Sequence, residues 1–95
     1  MELNEIRARI DAIDEQMLSL FLERMACAEQ VAVYKKERNL PILNAVREQE
    51  ILAEVEAKSG ELAPYSRELF RVLMDLSKDR QRELFGKLTK QEKEE

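Results

Sequence analysis

The first long apolar stripe of this chain is interrupted by two cations. Ile6, Ile10, Ile13, Met17 and Leu20 recur every three or four residues, the spacing of one helical face. Extending that rhythm lands on Arg24, then Cys27 or Ala28, then Val31, then Lys35. Arg24 and Lys35 are eleven residues apart, three helical turns, so they point the same way. Between them the stripe carries only small residues: Cys27, Ala28, Val31 and Ala32. Two inward cations flanking small side chains describe a hollow that could hold an anion. The same spacing also fits long side chains that snorkel to solvent or pair with Glu29.

Polar residues recur on an apolar face further along. Ser77 and Gln81 continue the face of Phe70 and Leu73. Gln81 can donate from its amide, and Ser77 can donate or accept. The alternative is a hydrogen bond that fixes helix register. Asn44, Arg47 and Glu48 open a further helix. A helix N-terminus favours anions, and Arg47 could clamp a carboxylate through its planar fork. Glu48 could orient a hydroxyl or position a neighbouring cation. An ordinary capped helix with a surface ion pair would look the same. Arg7 lies on another face, about 260° around the helix from Arg24. It is an exposed arginine, or it serves a second copy's hollow.

Helices must position these groups. From about Glu2 to Arg38 there is no glycine or proline. A helix of that span is roughly 55 Å long. A compact domain this small is only roughly 26 Å across, so much of the stripe stays wet unless the chain self-associates. Asn39-Leu40-Pro41 ends the first helix. A short helix is expected over Ala45–Lys58, with Asn44 as N-cap and Ser59-Gly60 as its stop. A third, of medium length, starts near Pro64 and reaches about Phe85, with Leu69, Phe70, Leu73, Leu76 and Leu84 as apolar positions. The domain is expected to span 1–85, and 86–95 to form a polar, frayed tail.

Composition excludes several classes. Charged residues make up 38% and apolar residues 44%, too charged for a membrane protein and too apolar for a disordered chain. No apolar run approaches the roughly 20 residues of a membrane span. Histidine is absent, which removes the commonest general base and metal ligand. The net charge of −4 argues against nucleic acid. One cysteine, Cys27, cannot form an internal disulfide. With no signal peptide in view, a cytoplasmic setting is expected.

The ordered set of motifs resembles the AroQ-type, all-helical chorismate mutases, from about Ile6 to Gln81. IRARIDAIDEQML carries Arg7, Ile10 and Asp14; LER carries Arg24, with Lys35 eleven residues on. Pro41 matches the turn proline, VRE supplies Arg47 and Glu48, and ELF leads to Ser77 and Gln81. The resemblance implies an all-α protomer of three helices in an intertwined homodimer with two identical sites. It implies that Arg24 and Arg47 bind the two carboxylates of chorismate, with Arg7 crossing from the other subunit. Lys35 and Gln81 would donate to the ether oxygen. Glu48 would hold the ring hydroxyl, and Ser77 would contact a carboxylate region. Asn44 stands where aspartate is common, and an amide still accepts a hydrogen bond. Met25 stands where some relatives carry a second arginine, so no supplementary anion contact is expected there.

The implied reaction turns chorismate into prephenate by a Claisen rearrangement in phenylalanine and tyrosine biosynthesis. No proton moves and no nucleophile is needed, so no cofactor or metal is expected, and the missing histidine is no obstacle. Two alternatives stay open: an isochorismate pyruvate lyase, which resembles the same fold, and a non-catalytic helical dimerisation module. Such a module also resembles the front end of prephenate dehydratase fusions.

Overall fold

A computed structural model describes the backbone of residues 2–94 and the side chains of residues 2–89. It is all-helical among these residues. Helix α1 spans Leu3–Glu37 and α2 spans Ala45–Ser59. A 3-10 turn over Gly60–Leu62 leads into α3, Ala63–Glu94.

The boundaries follow from local chemistry. Glu5 sits in the first turn of α1, and Lys35 and Lys36 in its last, each favourable against the helix dipole. Asn39 then adopts φ 56°, the left-handed region that asparagine tolerates better than most residues. Its N–H donates to the Lys36 carbonyl at 3.3 Å, and the Leu40 N–H donates to that of Lys35 at 2.8 Å. This paired closure is the Schellman arrangement, and Pro41 follows it. Asn44 caps α2: its Oδ1 accepts from the Arg47 backbone N–H at 3.0 Å. Gly60 ends α2 at φ 57°, where an L side chain would be strained. Pro64 lies in the first turn of α3, where its missing N–H costs nothing.

Helix α3 is the centre of the fold. It packs against both α1 and α2, which do not pack on one another. Arg80 meets Glu29 at 3.2 Å, and Lys36 donates to the Thr89 hydroxyl at 2.9 Å. Those contacts advance together along both helices, so α1 and α3 run parallel. Lys78 meets Glu48, and Arg67 meets Glu56, so α2 runs antiparallel to α3. The buried residues are Ala28 and Ala32 from α1, Leu52 from α2, and Met74 and Gln81 from α3. The two alanines let α1 approach α3 closely.

Two expectations change. The third helix does not stop near Phe85; it runs on to Glu94 and is almost as long as α1. Gly86 costs only about 1 kcal/mol in a helix interior, and good helix formers follow it. Lys36 also reaches across to this segment, with its ammonium 5.8 Å from the Phe85 ring centre. Among the expected apolar positions of α3, Phe70, Leu73 and Leu84 are half-buried, whereas Leu69 and Leu76 are exposed.

The single chain is flat and elongated, 61 × 27 × 14 Å. Its radius of gyration is 17.3 Å, against about 12 Å for a compact domain of this length. Ile6, Ile10, Ile13, Met17 and Leu20 are all exposed. None of the helices among the described residues is long and apolar enough to cross a membrane.

Candidate active site

A cavity of about 320 Å³ lies between the C-terminal half of α1, the start of α2 and the middle of α3. That volume falls at the small end of the range for small-molecule sites. Arg24 and Lys35 enter it from α1, with Cys27, Ala28 and Val31 as the small residues between them. Asn44, Arg47 and Glu48 enter from α2, and Ser77 and Gln81 from α3. The fold thus brings together Arg24, Lys35, Asn44, Arg47, Glu48, Ser77 and Gln81, but not Arg7.

Arg24 is half-buried and has no ion-pair partner among the described residues. Glu29, the neighbour that sequence spacing offered to Arg24 or Lys35, is held instead by Arg80 at 3.2 Å. The reason is tertiary: parallel packing brings α3 beside that face of α1. The hydrogen bonds that Arg80 donates to Glu83 first, then to Glu29, raise its pKa above its already high ordinary value. Lys35 donates one hydrogen bond to the Ile42 carbonyl at 2.6 Å. An ammonium has three donors, so two remain for a ligand. Lys35 therefore holds the α1–α2 turn and faces the cavity with the same group.

Arg47 contributes its backbone N–H to the Asn44 cap, while its guanidinium lies 3.8 Å from Glu50 with both side chains exposed. Such a pair is weak, and it leaves the guanidinium available to an anion. Asn44 Oδ1 accepts the Arg47 N–H as the cap, and its second lone pair and its Nδ2 donors remain for a ligand.

Gln81 is only 5% exposed. Its Nε2 donates to the Ser77 Oγ at 3.1 Å, and its Oε1 is buried without a partner. The two ends of a carboxamide are almost equal in size, and the group can turn over. Ser77 would then donate to Oε1, and Nε2 would be the unpartnered atom. In either orientation one buried hydrogen-bonding atom is left for a group the described residues do not supply. Buried polar atoms rarely stay unpaired, so this one points to a ligand.

Lys78 was not singled out from the sequence, yet it lines the cavity. Its Nζ lies 3.0 Å from Glu48 Oε2 and 3.4 Å from Asp75 Oδ1. The hydrogen bond that Lys78 donates to Glu48 is the main cause holding the Lys78 pKa above the ordinary lysine value, against a smaller opposing effect of burial. The signal was available: counting four residues from Met74 reaches Lys78, and three more reach Gln81. Four cations and one carboxylate line the cavity, so it carries an excess of positive charge in a chain of net charge −4.

Arg7 is exposed on α1, about 25 Å from Arg24 along the helix axis. It does not line this cavity.

The chorismate mutase type II family model matches residues 6–82, most of the chain. The chain is also similar to the bifunctional chorismate mutase/prephenate dehydratase of Aquifex aeolicus (strain VF5), with 43% identity over 54 residues. That match covers 57% of this chain but only 15% of the relative. No solved structure matches the chain. The matched span runs from the apolar stripe through Gln81 and contains every residue of the cavity, and on that evidence the chain belongs to the type II chorismate mutase family.

Proposed function

We propose that this chain catalyses the rearrangement of chorismate to prephenate, on the way to phenylalanine and tyrosine. The observation that carries the reading is a cation-rich cavity, in a family of chorismate mutases, whose buried Gln81 amide keeps one atom unpartnered. The reaction breaks one C–O bond as one C–C bond forms, within a single dianion. It needs the flexible substrate held in a chair-like shape. It also needs donors at the ether oxygen, where negative charge builds.

The residues divide that work. Arg24 and Arg47 bind the two carboxylates through planar, bidentate forks. Lys35 and Gln81 donate to the ether oxygen, Lys35 with the two N–H groups that Ile42 leaves free. Glu48 accepts from the ring hydroxyl, and Ser77 sets the Gln81 amide and adjoins a carboxylate. Asn44 contributes by fixing the start of α2. The single Cys27 thiol, free and exposed, fits a reducing cytoplasm.

The working unit in this reading is a homodimer of three-helix protomers joined through the long α1 helices. Its support is surface area. The chain exposes 7671 Å², against about 5,700 Å² for a compact monomer of this mass. Two copies would have an excess of about 4,000 Å² to bury, within the range of obligate homodimers. The exposed stripe from Ile6 to Leu20 supplies the apolar face. The partner subunit's Arg7 would then complete each cavity.

A thermal-shift titration with a bicyclic, dicarboxylate transition-state analogue tests the site. Stabilisation should grow with ligand, reaching about 2.7 kcal/mol at one hundred times Kd. A helix module without a site would give no shift. Chorismate and isochorismate assayed side by side should show turnover of chorismate.

A further inference from the structure

We propose that Lys78 is a positioning residue of this cavity, fixing the Glu48 carboxylate where it receives the substrate's ring hydroxyl. The inference rests on the mutase reading above.

Lys78 comes from α3 and Glu48 from the first turn of α2. The Lys78 Nζ lies 3.0 Å from Oε2 and 3.3 Å from Oε1 of Glu48. A cation between both oxygens restrains the rotation of the carboxylate as well as its position. The two side chains are only 17% and 25% exposed, so solvent screens them less than a surface pair. Asp75 also approaches Lys78, but it is 70% exposed and competes weakly. Each carboxylate oxygen has acceptor sites left after binding Lys78, enough for one hydroxyl.

Charge gives a second reason. Glu48 is the lone carboxylate among the cavity's lining residues, and the proposed substrate is a dianion. An unpaired Glu48 would be repelled by that dianion and turn to solvent. Lys78 offsets the repulsion and leaves the acceptor in place. Arg24, Lys35 and Arg47 remain for the substrate's own charges.

The test is a double-mutant cycle on the full chain, read by chorismate turnover. Lys78→Met keeps the packing of the stem and removes the cation. It should lower kcat/KM about 10- to 100-fold, with KM carrying most of the loss because the hydroxyl is held before and during reaction. Lys78→Arg should recover most of that loss, and Asp75→Asn should change little. In a Glu48→Gln background, Lys78→Met should add less than about threefold, since its target is already gone. Two results would overturn the role: Lys78→Met within threefold of the parent, or the same loss with and without Glu48. If the unmodified chain leaves chorismate untouched, the mutase reading fails, and the positioning role falls with it.

Discussion

Lys35→Ala separates the catalytic role of this lysine from its structural one. The ammonium donates to the Ile42 carbonyl at 2.6 Å and lines the cavity. Structurally, the variant loses one charge-assisted hydrogen bond, worth about 1.5–3 kcal/mol at most. Ile42 is only half-buried, so water can satisfy its carbonyl and the cost should fall at the low end. The backbone closure of α1 through Asn39 and Leu40 does not use the side chain and should survive. Catalytically, the variant loses donors at the atom where negative charge develops, about 3–4 kcal/mol or 10²–10³ in kcat. Circular dichroism and sedimentation should therefore report an unchanged helical particle, while a spectrophotometric assay of chorismate loss reports at least a hundredfold slower turnover. A kcat within threefold of the parent, in a folded variant, would refute the assignment of Lys35 to the ether oxygen.

Other expectations follow from the same geometry. Gln81→Glu should be active only toward acid pH, because a protonated acid can donate to the ether oxygen and a carboxylate cannot; a flat pH–rate profile would contradict the donor role. Arg7→Ala and Lys35→Ala should each be nearly inactive as pure dimers, and mixing them should restore about a quarter of parent activity if Arg7 acts across the dimer. No recovery after subunit exchange would rule out action of Arg7 across the dimer. The folded-state pKa of Lys78 is raised by Glu48, so the pair's stabilisation is fully present below the ordinary lysine value and lost as pH rises through the higher folded value. The Tm gap between the parent and Lys78→Met should stay constant from neutral pH to about pH 10 and shrink above it. A gap that shrinks already near neutral pH would argue against that linkage.

The helix punctuation was readable because particular residues do particular backbone work. Asn39 takes a left-handed φ, Asn44 caps, and Gly60 turns. The end of α3 was not readable from Gly86, whose modest cost is outweighed by the residues after it and by the reach of Lys36 to Thr89. The cavity residues stood out where an apolar rhythm broke: Arg24 and Lys35 on one helix, Ser77 and Gln81 on another. Pairings across helices did not. Arg80 takes Glu29 and Lys78 takes Glu48 because of how α3 packs, and local spacing carries no record of partners that far along the chain. Arg7 illustrates the same limit, since one chain places it far from the site that the family resemblance implies for it.

The most direct test is to incubate the purified chain with chorismate alone, follow its loss by absorbance, and identify the product. The account predicts prephenate, formed one for one, with no pyruvate released and no added cofactor. Unchanged chorismate, or a product set containing pyruvate, would contradict it.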